Sequence, residues 1–287
     1  MVHDPLYLHH DMRAAQAEYY GPLPVRHIGV ADLMTALRKG WADFWVKPSH
    51  LLFLGLFYPV AGLFLCRLVV GYDVLPMLFP VMAGFTLIGP FAAIGLYEIS
   101  RRREQGLPVS WRDALAVRRS PALPSIIAVG VLLLAVFLAW LLVARGLYVE
   151  LLGPEPPASM AALLDRVFNT REGWTLFVVG NLIGLIFAIL ALCTSIVAFP
   201  LLLDRDVGAW AAVQTSWRAA MTNPVEIAAW GLIVAALLVL GSLPIFAGLA
   251  VVVPILGHAT WHLYRRLVAA PPPERRAAAA TTRRRRA

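Results

Sequence analysis

The chain has 287 residues, of which 60% are apolar and only 15% are charged. Soluble domains contain about 45–50% apolar and about 25% charged residues, so this composition argues against an aqueous globular fold. The excess of 25 Lys and Arg over 17 Asp and Glu does not indicate nucleic-acid binding, because six of the Arg residues lie after residue 270. No aromatic side chains that would stack on bases are interleaved with those arginines.

Apolar runs alternate along the chain with segments that hold the charges, which is typical of a polytopic membrane protein. We predict an all-α fold in which six transmembrane helices form three hairpins. The predicted spans are, in chain order, 51–70, 74–97, 123–144, 174–203, 225–242 and 245–264. They form a membrane domain over 27–268, preceded by a polar segment at 1–26 and followed by a basic tail at 269–287 that we expect to be disordered.

Two of the apolar runs are longer than one span needs. The fourth predicted span has about 30 residues, so it either tilts strongly or breaks near Pro200. The run 225–264 would make about 60 Å of helix, twice the thickness of the roughly 30 Å hydrocarbon layer. The turn signal Gly241-Ser242-Leu243-Pro244 at its middle divides it into the fifth and sixth spans.

The distribution of Lys and Arg predicts the orientation of the spans. Of the 25 basic residues, 21 fall before the first predicted span, in the loops 98–120 and 203–224, and after the last predicted span. All four segments lie on one side of a six-span topology, and the positive-inside rule places that side in the cytoplasm. We therefore expect a multi-pass protein of the plasma membrane with both termini in the cytoplasm.

Three segments that precede spans have the apolar spacing of amphipathic helices lying in the membrane interface. They lie at about 30–45, 111–115 and 210–221, and each is followed by a proline that marks the start of a span. The apolar side of the first helix is formed by Val30, Leu33, Met34, Leu37, Trp41, Phe44 and Trp45. The opposite, polar side is predicted to hold Asp32, Arg38, Lys39 and Asp43.

Six strings of the chain are distinctive when they are taken together. They are Ile28-Gly29-Val30-Ala31-Asp32-Leu33, Pro48-Ser49-His50, Gly89-Pro90-Phe91, Gly95-Leu96-Tyr97-Glu98, Leu203-Asp204-Arg205-Asp206-Val207-Gly208 and Gly257-His258-Ala259-Thr260-Trp261-His262-Leu263-Tyr264-Arg265-Arg266. Over about 26–268 the chain resembles a bacterial family of uncharacterised integral membrane proteins, the domain of unknown function 2189. The resemblance implies a multi-span protein of the bacterial inner membrane.

Some members of that family carry a cytochrome c oxidase label, which implies a respiratory oxidase as a membrane partner. The label does not transfer as an activity. An oxidase core subunit needs an array of buried histidines as haem and copper ligands, whereas here only His258 and His262 lie within a predicted span.

The same two histidines supply the main candidate for chemistry. His258 and His262 are four residues apart, so they share one face of a helix, the spacing with which two imidazoles bind one metal ion. His50 opens the first span and Glu98 closes the second at the same cytoplasmic level, so these four residues could hold a divalent metal. No other cofactor is implied. The alternative is that all four are interfacial polar residues bonded to water and headgroups.

Basic residues near the cytoplasmic ends are candidates for binding anionic lipid headgroups, although membrane topology alone would also place them there. They are Arg101, Arg102, Arg103, Arg118, Arg119, Arg265 and Arg266. The chain lacks P-loop, nucleophile-elbow, zinc-protease and CxxC motifs, so no catalytic residue is predicted. We expect a non-enzymatic scaffold, assembly factor or passive pathway in the lipid bilayer. The alternative is a transporter or metal-handling protein that uses polar residues at the cytoplasmic ends of spans one, two and six.

Overall fold

The computed structural model describes residues 23–46, 75–77, 79–81, 93–155, 157–243 and 248–269. Over these ranges the chain is helical, and its strand-like pairing is limited to a single bridge between Val25 and Val268. The α-helices are α1 Val30–Val46, α2 Ile94–Glu104, α3 Leu123–Leu152, α4 Met160–Asn169, α5 Arg171–Ser195, α6 Ala198–Asp204, α7 Ala209–Thr222, α8 Pro224–Ser242 and α9 Leu249–Leu267. Two 3₁₀ helices lie at Leu75–Met77 and Trp111–Arg119.

Three helices of the described part are long and apolar enough to cross a membrane. They are α3, the stretch Arg171–Asp204 that contains α5 and α6, and α8. Most of their residues are not covered by the rest of the protein: only 28%, 44% and 17% of the most apolar window is buried in the three helices, respectively. For the described residues, an all-α fold with several long, apolar and largely uncovered helices is therefore confirmed.

The prediction of six spans is corrected to three in the part of the chain that the structure describes. Predicted span 51–70 lies outside the described residues, as does most of 74–97. The sixth predicted span, 245–264, corresponds largely to α9, which does not meet the membrane-span conditions. Trp261 and Tyr264, which lie inside this predicted span, are buried in the core formed by α9 with α1, α2 and α6.

Local sequence explains where the long helices begin and where one of them is interrupted. The Thr170 hydroxyl caps α5 by accepting from the Gly173 amide at 3.0 Å. Helix α5 ends at Ser195 and α6 begins at Ala198, so the run 174–203 is interrupted just before Pro200. Proline fits there because an N–H in the first turn of a helix has no partner within that helix.

Helix α1 has two different apolar faces. Its buried stripe consists of Leu33, Ala36, Gly40, Asp43 and Phe44. The second face is exposed and consists of Val30, Met34, Trp41 and Trp45. The assignment of Asp43 to a solvent-facing polar side is therefore wrong: its carboxyl lies on the stripe that faces α9 and is 5% exposed.

We call the end of the molecule at which α3 and α8 begin and α6 and α9 end the polar end. Helices α1 and α9 run antiparallel there. Asp32 of α1 pairs with Arg266 of α9 at 3.1 Å, whereas Gly40 packs against Ala259. The pairing continues past both helices, since the Arg26 amide donates to the Leu267 carbonyl at 2.8 Å. The polar end therefore holds together two segments more than 200 residues apart in the sequence.

Candidate functional site

Five side chains from α1, α2 and α9 meet in one hydrogen-bonded group, called here the polar junction. Its members are Asp43 of α1, Ser100 and Arg103 of α2, and His258 and His262 of α9. The Ser100 Oγ lies 2.6 Å from Asp43 Oδ2 and 2.8 Å from His258 Nδ1. His262 Nε2 lies 2.8 Å from the same Asp43 oxygen, and the Arg103 guanidinium pairs with the other one.

Two glycines allow the three helices to approach closely enough for these contacts. A Cβ on Gly40 would lie 2.6 Å from the Ala259 amide nitrogen, and one on Gly257 would lie 2.5 Å from Leu96 Cδ1. Both distances are too short for a real side chain. Glycine at these positions therefore brings α1 and α2 against α9 and encloses the junction, in which Ser100 and His258 are 0% exposed.

Burial and hydrogen bonding set the protonation states in the junction. Burial lowers the pKa of His258 to about 4, against the attraction of Asp43 and a hydrogen bond with the Leu96 backbone, so the ring is neutral near pH 7. Burial acts to raise the pKa of Asp43, but hydrogen bonds with His262 and Ser100 and the nearby imidazoles outweigh it. The pKa of Asp43 is therefore below its usual value, and the carboxylate is ionised.

An ionised Asp43 determines the direction of the hydrogen bonds. A carboxylate only accepts, so the Ser100 hydroxyl donates to Asp43, and Ser100 Oγ is left to accept from Nδ1–H of His258. In a Ser-His-Asp hydrolase the histidine stands between the other two groups and removes the serine proton. Here the serine stands in the middle and its proton points to the carboxylate. The arrangement links three helices, and its order of hydrogen bonds differs from that of a catalytic triad.

A second network ties α6 and α9 to the end of α2. The Tyr264 hydroxyl donates to Asp204 Oδ2 at 2.7 Å, and burial raises the pKa of Tyr264 well above its usual value, which keeps this donor protonated. The Trp261 indole donates to Glu104 at 3.0 Å. Arg265 lies between the two carboxylates, 3.1 Å from Glu104 and 3.4 Å from Asp204. The polar end is therefore cross-linked by charge-assisted hydrogen bonds.

The structure places three of the four predicted metal ligands, and these three lie in different surroundings. His50 lies outside the described residues. Glu98 forms a two-point ion pair with Arg101, at 2.7 and 2.8 Å, while His258 contacts Ser100 and His262 contacts Asp43. Across the described ranges, no group of three or more His, Cys, Asp or Glu side chains could hold a metal ion. The divalent-metal site stays a prediction.

Most of the arginines predicted to bind lipid headgroups have carboxylate partners within the chain. Arg101 and Arg102 pair with Glu98, and Arg102 also lies 3.5 Å from Asp113. Arg103, Arg265 and Arg266 pair with Asp43, with Glu104 and Asp204, and with Asp32, respectively. Arg118 and Arg119 are exposed at the end of the 3₁₀ helix that precedes α3. Headgroup binding by these seven residues stays a prediction.

Sequence reasoning missed Asp43 and Ser100 as members of the site. A signal for Asp43 was present, because Leu33, Ala36 and Gly40 form an apolar and small-residue stripe that passes through position 43 at helical spacing. Ser100 gave no such signal, since it lies beside three consecutive arginines that indicate a solvated helix end.

The apolar helices and the buried polar end define a helical integral membrane protein. Residues 78–204 match the model of the family described as Predicted integral membrane protein (DUF2189), which confirms the family resemblance found in the sequence. The matched stretch contains Ser100 and Arg103 but not Asp43, His258 or His262. No curated protein and no solved structure matches the chain.

Proposed function

We propose that this integral membrane protein is non-enzymatic and acts as a scaffold or assembly factor. The proposal is supported by the hydrogen bonding and burial of the polar junction. Its serine hydroxyl and its two histidines, the groups that could perform chemistry, are hydrogen-bonded within the junction: Ser100 to Asp43 and His258, and His262 to Asp43; Ser100 and His258 are fully buried. A locked junction provides a rigid platform at the end of apolar helices, which is what a scaffold requires.

We also propose that the protein lies in the bacterial inner membrane as a multi-pass protein, with the polar end and both termini in the cytoplasm. The positive-inside rule supports this orientation, because Arg118 and Arg119 are exposed directly before α3 and Arg266 is exposed near the end of α9. The same positions would bring these side chains close to the anionic headgroups of the cytoplasmic leaflet.

The exposed face of α1 is the surface proposed to contact a second membrane complex, such as a respiratory oxidase. Trp41 and Trp45 are 50% and 65% exposed on this face, and their rings stack edge to face at 5.7 Å. Exposed tryptophans contribute strongly to protein interfaces and are also common at the membrane surface. The proposal includes no nucleic-acid partner.

The size of the assembly in native membranes tests the scaffold role. Membranes are extracted in a mild detergent, and the tagged chain is separated by native size and detected by its tag. The proposal predicts a discrete complex much larger than the 31.4 kDa protomer, which a Trp41→Ala/Trp45→Ala variant dissociates. A Leu138→Ala/Leu142→Ala variant on the exposed side of α3 is the control and leaves the complex intact. Migration of the wild-type chain as a single protomer contradicts the proposal.

Elemental analysis of the purified protein separates the scaffold role from a transporter or metal-handling role. A scaffold carries no bound divalent metal at a stoichiometric level. Near-stoichiometric metal that is lost in both His258→Ala and His262→Ala variants contradicts the proposal and favours the alternative.

A further inference from the structure

A cavity of about 300 Å³ opens at the polar end, between the segment before α1 and the last turns of α9. Its lining consists of Arg26, Lys39, Glu104, His262, Arg265, Arg266 and Val268. We call it the basic pocket. Its volume is at the lower end of the roughly 300–1,000 Å³ typical of small-molecule sites, which is enough for a compact polar group.

The charge of the basic pocket is strongly one-sided. Three arginines and one lysine line it, against the single carboxylate of Glu104. In the described part of the chain, neither Arg26 nor Lys39 has a carboxylate partner, and both side chains are exposed. Arg26 and Lys39 therefore add positive charge to the pocket that no carboxylate in the described ranges pairs with, which favours an anion there.

The other two cations are already oriented by carboxylate partners. Asp32 holds Arg266 at 3.1 Å, and Glu104 and Asp204 hold Arg265. A guanidinium has five N–H donors, so these contacts fix the plane of each group and leave further donors for a ligand. Arginines that are fixed in this way lose little conformational entropy when they bind an anion.

We propose that the basic pocket binds a phosphate group, carried either by a phospholipid headgroup or by a free phosphate anion. Phosphate suits this set because its oxygens accept several hydrogen bonds at once, and arginine binds it in a two-point geometry. The inference goes beyond the scaffold role and does not depend on it, since a transporter with this pocket would bind the same group.

Binding to full-length protein in a neutral detergent tests the proposal. The probes are dihexanoyl phosphatidylglycerol, dihexanoyl phosphatidylcholine and inorganic phosphate, each titrated calorimetrically at fixed low ionic strength. The key variant is Arg26→Gln/Lys39→Gln, because neither side chain forms an ion pair that the fold needs in the described ranges. The matched control is Arg118→Gln/Arg119→Gln, which removes the same charge from an exposed site outside the pocket.

The proposal predicts saturable binding of phosphatidylglycerol that weakens by about tenfold or more in the pocket variant and by less than about twofold in the control. Tighter binding of phosphatidylglycerol than of inorganic phosphate identifies the lipid headgroup as the source, and the reverse order identifies free phosphate. Equal weakening in both variants indicates long-range attraction only and overturns the proposal. Absence of binding by both anionic probes also overturns it. These binding results do not depend on the size of the native assembly. They can therefore contradict phosphate binding without contradicting the scaffold role, and the reverse also holds.

Discussion

The close approach of α1 to α9 at Gly40 gives the sharpest prediction about stability. An alanine Cβ at this position would lie 2.6, 2.7 and 2.8 Å from three Ala259 atoms, two of which belong to the backbone. Ordinary contact begins at 3.4 Å, so the two helices must separate by roughly 0.6–0.8 Å. Overpacking of this kind costs about 1–3 kcal/mol. The separation also stretches the contact between Asp43 and His262, which adds to the cost.

Thermal unfolding of the purified protein in detergent, followed by tryptophan fluorescence, measures this effect. Gly40→Ala should lower the Tm, because the overpacking outweighs the gain of about 1 kcal/mol that alanine brings to a helix interior. At roughly 2–4 °C per kcal/mol for a protein of this size, the decrease should be a few degrees. The control is Gly146→Ala in α3, where a Cβ meets nothing within 4 Å and stability should be unchanged or higher. A Gly40→Ala protein as stable as the control variant would refute the close packing of α1 and α9.

Three further predictions concern the buried polar groups. The pKa of His258 is about 4 in the folded protein and about 6.5 in the unfolded chain, so the unfolded state binds more protons between these values. The free energy of unfolding should therefore fall by roughly 3 kcal/mol as the pH decreases from 6.5 to 4. A Tm that stays constant over this pH range would contradict the burial of His258. Tyr264→Phe should cost about 1.5–3 kcal/mol in unfolding free energy, because it removes the donor to Asp204. Tyr148→Phe is the control: the buried Tyr148 hydroxyl has no partner in the described ranges, so its removal should cost nothing. Equal losses in the two variants would show that the Tyr264 hydrogen bond contributes little. Ser100→Ala leaves a buried carboxylate and a buried imidazole without their shared partner and should cost about 1–3 kcal/mol by the same unfolding assay, and an unchanged Tm would contradict a locked junction.

The membrane class could be predicted from the sequence, because it depends on composition and on the length of apolar runs. The bounds of α8 follow directly from Pro224 and from the end of the apolar run at Ser242. The sixth predicted span is not among the three candidate spans of the described residues, because the polar side chains in the second half of α9 lower its mean hydropathy. That half packs against α1 and α2, with Trp261, Leu263 and Tyr264 buried, and this packing depends on residues far away in the sequence.

The candidate site was only partly predictable for a related reason. The helical spacing placed His258 and His262 on one face of α9, but their partners come from residues more than 150 positions away. Asp43 was assigned to the polar side because the apolar spacing of α1 predicted an amphipathic interfacial helix. Its pairing with Ser100, Arg103 and His262 depends on long-range contacts, which no local pattern in a single sequence contains.

The central claim is that the polar end lies in the cytoplasm while α3 crosses the membrane. Single cysteines at Asp206 and at Glu155, both exposed and placed at opposite ends of the apolar helices, test it in a background in which Cys66 and Cys193 are replaced by alanine. A membrane-impermeant thiol reagent is applied to intact spheroplasts and to permeabilised ones. The account predicts labelling of Glu155→Cys in intact spheroplasts and labelling of Asp206→Cys only after permeabilisation. Equal labelling of both sites in intact spheroplasts, or the reverse order, would contradict it.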